Sequence, residues 1–233
     1  MIKMKTEEQL TKEKIDCCKA VIFDMDGTLI ASTEGDYLAW KMLFEEHGKE
    51  LSFEKYIPLM GVKSAEVAHK HLDLSGEALH EALRKKLVYF EDIIDEKGIH
   101  AIPYSKDFLE HLKTFPVKLA LATSSRKNKM EMVMQRLHLL DFFDAVVVGE
   151  EVESGKPAPD VFIKTAGKLA IEPSACIVIE DAASGVKAAK NANMKCIAIT
   201  TTNTRDALNE ADIIVDSFKD LKLPEICKKL YSH

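Results

Sequence analysis

Apolar residues in this chain fall into short dense runs, separated by longer stretches in which they recur every three or four positions. The dense runs are KAVIFD (19–24), VKLALAT (117–123), DAVVVGE (144–150), ACIVIED (175–181), MKCIAIT (194–200) and DIIVD (212–216). They are too short for helices and mostly apolar on both faces, which predicts strands buried on both sides of a parallel sheet. Between them, SRKNKMEMVMQRLHLL (125–140), PDVFIKTAGKLA (159–170) and AASGVKAAKNAN (182–193) read as helices, the second with Pro159 near its first turn. Strands alternating with helices predict an α/β fold: a Rossmann-like parallel sheet core with helices on both faces.

The alternation fails once. Residues 33–101 contain no good strand candidate, and TEGDYLAWKMLFEEHG, SFEKYIPLMG, KSAEVAHKHL and GEALHEALRKKLVYFEDIIDEKG all read as helices. The expected organisation is a charged N-terminal extension (1–18), helical or frayed, and a core formed by 19–32 and 102–233. A small all-helical insertion after the first strand (33–101) interrupts that core. Links fall near 31–34 and 98–103, the second marked by Gly98 and Pro103.

Length and composition narrow the class. A chain of 233 residues, 46% apolar and 30% charged, suits an ordinary globular protein of one large domain, with or without a second small one. The net charge of -6 gives no broad footprint for nucleic acid. No apolar run approaches the ~20 residues of a membrane helix. The opening MIKMKTEEQLTKEKID lacks the apolar centre of a signal peptide, so secretion is not expected. Five cysteines with no C-x-x-C suggest neither a disulfide framework nor a zinc site, and reduced thiols in a cytoplasm fit best. Cys176 and Cys196 read as core residues, and the neighbours Cys17 and Cys18 carry no chemical signal. The histidines lack partners at metal-ligand spacing, and Arg84-Lys85-Lys86 reads as a solvated helix face.

Ligands of open parallel sheets bind beyond the carboxyl ends of the strands. The first strand delivers Asp24, followed by Met25-Asp26-Gly27-Thr28. Carboxylates at i and i+2 share a face of an extended chain, and Gly27 permits a sharp turn. A plain hairpin turn joining VIFD to TLIA is the competing reading. The second strand delivers Thr123, then Ser124 and Ser125, one of which is expected to cap the next helix. The third is followed by Gly155-Lys156-Pro157-Ala158-Pro159-Asp160, in which the prolines stiffen the loop around Lys156. The fourth delivers Glu180 and Asp181, although Asp181 could serve only as an N-cap. Acids gathered in one crevice repel one another, and a hard divalent cation such as magnesium, with a phosphate partner, relieves that repulsion.

In order and spacing, DMDGT (24–28), Thr123 of LATSS, Lys156 of GKPAPD and IEDAASG (179–185) resemble the four motifs of the haloacid dehalogenase-like hydrolase superfamily. The helical insertion resembles that of the subgroup containing β-phosphoglucomutase and many sugar-phosphate phosphatases. The resemblance covers nearly the whole chain. It implies that Asp24 is the nucleophile and forms an aspartyl-phosphate. It implies that Asp26 is general acid and then base, with its backbone carbonyl on the metal. Thr123 would hydrogen-bond the phosphoryl group, and Lys156 would neutralise it and steady Asp24. Magnesium would be held by Asp24, Asp26 and Asp181, with Glu180 beside them directly or through water. The insertion would be a cap that closes over the site and sets substrate choice.

In the cap the chain departs from the subgroup's pattern. Where an acid, a Ser or Thr and a Glu are often followed by His or Tyr, this chain reads Ala31-Ser32-Thr33-Glu34-Gly35-Asp36-Tyr37, with Asp36 at the expected His position. The mutases carry basic residues that grip a second phosphate. Here Leu59-Met60-Gly61-Val62-Lys63-Ser64 offers only Lys63. A monoester phosphatase acting on a small phosphorylated metabolite is therefore expected over a phosphosugar mutase. Ser124, Ser125, Arg126, Lys127 and Lys63 are the candidate substrate contacts. A phospho-accepting signalling domain also sets Asp, Thr or Ser, and Lys around magnesium. Such domains are roughly half this length and lack an acid two residues after the acceptor. A non-catalytic relative would normally have lost one of the four groups, and none is lost here. A cytoplasmic monomer is expected.

Overall fold

A computed structural model describes residues 18–231, so the expected extension lies, Cys18 apart, outside the described residues. Each predicted strand is present: β1 (Ala20–Phe23), β2 (Lys118–Ala122), β3 (Ala145–Val147), β4 (Cys176–Glu180), β5 (Lys195–Ile199) and β6 (Ile213–Val215). They form one parallel sheet in the order β3-β2-β1-β4-β5-β6. The helical stretch between β1 and β2 comprises α1 (Thr33–Glu46), α2 (Phe53–Tyr56), α3 (Ser64–Leu72) and α4 (Gly76–Lys97). The core adds α5 (Ser105–Lys113), α6 (Lys127–Arg136), α7 (Asp160–Leu169), α8 (Ala183–Asn191) and α9 (Leu223–Tyr231). Of these, α5 and α9 are additional to the helices read from the sequence.

The period of two along each strand sorts side chains onto opposite faces. Val21, Phe23, Leu119, Leu121, Ile177 and Ile179 pack with residues of α5, α6 and α9, among them Leu109, Val133 and Ile226. Ala20, Ile22, Ala120, Ala122, Cys196 and Ala198 pack with residues of α7 and α8, among them Phe162, Val186 and Ala189. One face is bulky and the other small, so the second pair of helices fits over short side chains.

The insertion has a core of its own, built from Trp40, Leu43, Phe44, Val67, Leu72 and Leu83. Farther along α4, Phe90 and Ile94 join the main core instead. The outgoing and returning chains pair where they meet. Ile30 bridges Ala101, the Ala31 N–H donates to the His100 carbonyl (2.9 Å), and that of Ile102 donates to Leu29 (2.8 Å). Because every strand is parallel, their carboxyl ends share one edge. The winding reverses at β1, with β2 on one side and β4 on the other, which opens a crevice above its end.

The small-residue face is expected to resist enlargement. Ala120→Leu should cost about 1–3 kcal/mol by overpacking, and Leu121→Ala on the bulky face about 2–5 kcal/mol by cavity formation. Urea unfolding midpoints measure both.

Candidate active site

β1 ends at Asp24, whose backbone N–H donates to the Ile179 carbonyl at 3.0 Å and holds the residue between β1 and β4. The segment after it is a folded-back loop rather than the alternative hairpin. The Gly27 N–H donates to Ile30 O (2.8 Å), that of Leu29 donates to Met25 O (2.9 Å), and no strand forms over TLIA. Gly27 has φ +85°, and a Cβ there would collide with the Asp181 carboxylate and Thr202.

Lys156 leaves its loop for the interior, where its side chain is 0% exposed. Its Nζ lies 2.5 Å from Asp24 Oδ1 and 2.6 Å from Glu180 Oε1. Oε2 of Glu180 accepts the backbone N–H groups of Asp181 (3.0 Å) and Ala182 (3.1 Å). Gly185, in the first turn of α8, leaves the room this carboxylate fills, since a Cβ there would overlap it. Asp181 is not the helix cap, a position taken by Ala182. It accepts the hydroxyls of Thr28 (2.8 Å) and Thr202 instead.

Ligand oxygens of Asp24, Glu180 and Asp181 lie within 4.8 Å of one another, all buried. Burial, with Glu180 and Asp181 adding to it, holds the Asp24 carboxyl well above its usual range despite Lys156. Burial and Glu180 bring Asp181 up to about 7. Burial works against the charge on Lys156, but Asp24 and Glu180 outweigh it and raise its proton affinity. A buried, all-oxygen donor set with more negative charge than one ammonium balances fits a hard dication.

The Asp26 carboxylate is directed elsewhere. Its Oδ1 accepts from Ser32 Oγ (2.5 Å) and pairs with Lys129 Nζ (2.7 Å), and its Oδ2 accepts from Ser125 Oγ (2.6 Å). Thr123 is buried at the end of β2, its Oγ1 accepting the Ser125 N–H at 3.0 Å. Neither serine caps α6, which begins at Lys127 after an extended Arg126. Ser124 donates to the Gly61 carbonyl of the insertion (2.6 Å) while Ser125 holds Asp26, and both line the crevice.

The other candidate substrate contacts do not reach the crevice. Arg126 pairs with Glu150 (2.8 Å), and Lys127 lies 3.6 Å from Glu131 on the exposed helix. Lys63 donates to the carbonyls of Val152 (2.8 Å) and Glu153 (3.1 Å), tying the insertion to the core.

The crevice contains residues that the sequence did not mark as functional. Asp36 accepts Lys86 (2.7 Å) and Lys129 (2.8 Å) on Oδ1 and the Tyr56 hydroxyl (3.0 Å) on Oδ2. Lys86 is thus buried rather than part of a solvated face, and its Nζ sits 4.5 Å from the Trp40 ring centre. Spacing could have found it. Lys86 follows Leu83 by three positions and precedes Phe90 by four, on the buried stripe of α4.

A doubly wound parallel sheet with a buried lysine among strand-end carboxylates defines an α/β enzyme with an acidic centre. The family profile described as haloacid dehalogenase-like hydrolase matches residues 21–199, which include all four motifs, and the chain belongs to that family. It is 30% identical over 209 residues to validoxylamine A 7'-phosphate phosphatase of Streptomyces hygroscopicus subsp. limoneus, covering 89% of this chain and 98% of the relative. It is 31% identical over 207 residues to a phosphorylated carbohydrates phosphatase of Thermotoga maritima, covering 84% and 92%. A solved β-phosphoglucomutase from Clostridium difficile superposes with a TM-score of 0.82 at 27% identity, covering 91% of this chain and 96% of that one.

Lys156→Met is expected to leave two carboxylates buried without their cation and to cost about 3–5 kcal/mol near pH 8. Burial already holds the Asp24 carboxyl above its usual range, and loss of the lysine that opposes this raises it further, so the penalty grows as pH rises and fades as pH falls toward 4. Urea unfolding of both proteins in EDTA from pH 8 to pH 5 measures this. A stability gap that does not narrow would show that Lys156 is not the counter-charge.

Proposed function

We propose that this protein is a magnesium-dependent phosphatase that hydrolyses a small phosphorylated metabolite, of the sugar-phosphate class, through an aspartyl-phosphate on Asp24. The observation that carries this reading is Lys156, fully enclosed and shared between Asp24 and Glu180 beside the clustered acids. The relatives' names, a 7'-phosphate phosphatase and a phosphorylated carbohydrates phosphatase, support the substrate class.

With Oδ1 of Asp24 held by Lys156, Oδ2 attacks phosphorus while the bond to the leaving alcohol oxygen breaks. Asp26, taking up a proton once the substrate has replaced the donors that hold it as a carboxylate in the free protein, gives that proton to the leaving oxygen and later takes one from the water that hydrolyses the acyl phosphate. The Thr123 hydroxyl and Lys156 donate to the transferred phosphoryl oxygens, where charge develops. Magnesium held by Asp24, Asp181 and the Asp26 carbonyl, with Glu180 behind them, would draw further charge from those oxygens. In the free protein both oxygens of Asp26 are engaged, so the leaving oxygen displaces Ser32, Ser125 or Lys129.

Residues 33–101 act as the cap over a core of 19–32 and 102–233. Trp40, Tyr56 and Met60 present the cap side of the crevice to the substrate's alcohol portion. The described cysteines are free, and among the described residues no helix is long and apolar enough to cross a membrane. A cytoplasmic monomer working on a small phosphorylated metabolite completes the proposed reading.

Asp24→Asn should keep the fold by circular dichroism and lower phosphate release by at least ~10³-fold. Wild-type release should stop in EDTA and return with magnesium. Full turnover of a phosphorylated substrate by the variant would remove the mechanism. Mutase activity, which the superposition on β-phosphoglucomutase makes the second reading, would show as glucose 6-phosphate formed from β-glucose 1-phosphate with a bisphosphate primer. The phosphatase reading expects free phosphate instead.

A further inference from the structure

The strand β5 pairs with β4 from Ile177 opposite Lys195 to Glu180 opposite Ala198, so the chain leaving β5 passes beside Asp181. Three consecutive residues of that loop, Thr201, Thr202 and Asn203, bond to segments that carry acids of the site, and none of the three belongs to the four motifs. The Thr201 hydroxyl donates to the Gly27 carbonyl at 2.5 Å, which pins the loop to the turn after β1. The Asn203 side-chain amide donates to the Asp181 carbonyl at 3.0 Å and to Thr202 Oγ1 at 3.1 Å. Thr202 Oγ1 lies against both the Asp181 carbonyl (3.1 Å) and Asp181 Oδ2. A hydroxyl has one proton to donate and an amide has two. Asn203 satisfies the Asp181 carbonyl and Thr202 Oγ1, which leaves the single Thr202 proton for the carboxylate. Thr28 holds the other oxygen, Oδ1, at 2.8 Å. The carboxylate thus carries one hydroxyl on each oxygen and keeps a lone pair free on each. The Thr202 methyl is fitted as closely, since a Cβ on Gly27 would stand 2.8 Å from it.

We propose that Thr202 is a positioning residue for magnesium: its hydroxyl, aimed by Asn203, fixes the Asp181 carboxylate in the orientation that binds the cation. This inference rests on the magnesium-dependent phosphatase reading and deepens it by adding the loop after β5 to the site. Thr202 does not line the crevice, so it acts through Asp181 rather than on substrate. A ligand that is already held in place binds a cation more tightly than one that must be immobilised as the cation arrives.

The probe is Mg2+ alone, titrated calorimetrically into the protein in phosphate-free buffer at one pH. Thr202→Val keeps the shape and the methyl but has no hydroxyl, and its Mg2+ affinity should fall by about 10–100-fold, as for other lost outer-shell partners. Thr202→Ser keeps the hydroxyl and should stay within about threefold of wild type. The rise in Tm produced by Mg2+ should shrink in Thr202→Val and not in Thr202→Ser. In turnover, Thr202→Val should need more Mg2+ for half-maximal phosphate release, and excess Mg2+ should recover most of the rate. A purely structural role would lower the rate at every Mg2+ concentration. Asn203→Ala frees the Asp181 carbonyl to compete for the Thr202 proton and should weaken Mg2+ binding several-fold. It keeps the proposal testable if Thr202→Val fails to fold.

Wild-type Mg2+ affinity in Thr202→Val, or an equal loss in Thr202→Ser, would overturn the assignment, as would wild-type affinity in Asn203→Ala where Thr202→Val does not fold. Phosphate release by the wild type alongside any of these results would leave the phosphatase reading standing. Mg2+ binding that follows the hydroxyl, with no release from any ester, would do the reverse.

Discussion

The charge balance of the acidic crevice depends on one buried ammonium group. Lys156 lies between Asp24 and Glu180, at 2.5 and 2.6 Å, with no solvent exposure of its side chain. Burial raises the proton affinity of the Asp24 carboxyl, and Lys156 is the charge that opposes that rise. The parallel sheet supplies both acids from neighbouring strand ends, β1 and β4, so the lysine needs a single position to reach both. Glu180 is in turn fixed by two backbone N–H groups at the start of α8. The charge arrangement is therefore set by sheet register as much as by the side chains.

Close packing follows from that demand. Gly27 and Gly185 stand where a Cβ would meet the carboxylates of Asp181 and Glu180. Both lie beside the clustered acids, and both act by what they lack. The same logic shapes the sheet, where the short side chains of Ala20, Ala120, Ala122 and Ala198 leave room for α7 and α8 while bulky residues fill the other face.

The sheet and the strand-end acids were legible because short apolar runs ending in Asp, Thr or Glu-Asp have few alternatives in an α/β chain. The helical nature of 33–97 was legible from its period. The starts of helices and the fate of individual polar residues were not. One of Ser124 and Ser125 reads as a cap because a hydroxyl before a helix usually bonds its first N–H groups, but here Gly61 and Asp26 compete for them and α6 begins later. Lys86 read as solvated because lysines usually are. Only the three-dimensional meeting of α1, α4 and α6 shows that Asp36 draws it inward with Lys129. Long-range ion pairs of this kind, 50 and 93 residues apart, leave no local periodic trace beyond a charge on an apolar stripe.

Besides the exposed pairs of Arg136 with Glu91 and Asp95, two kinds of polar tether join insertion and core near the crevice. Ser124 to Gly61, Ser184 to Met60, Lys63 to Val152 and Glu66 to Gly155 each join a side chain to main chain. Water can replace such bonds at small net cost, so they hold the insertion in place without locking it. The link through Lys129 is different, because it joins Asp36 of the insertion to Asp26 of the core through a buried cation. Ser32, at the junction of the two parts, holds the same Asp26 oxygen. A displacement of the insertion that stretches either contact changes the partners of the Asp26 carboxylate. The position of the insertion and the environment of that acid are thus one coordinate in this fold.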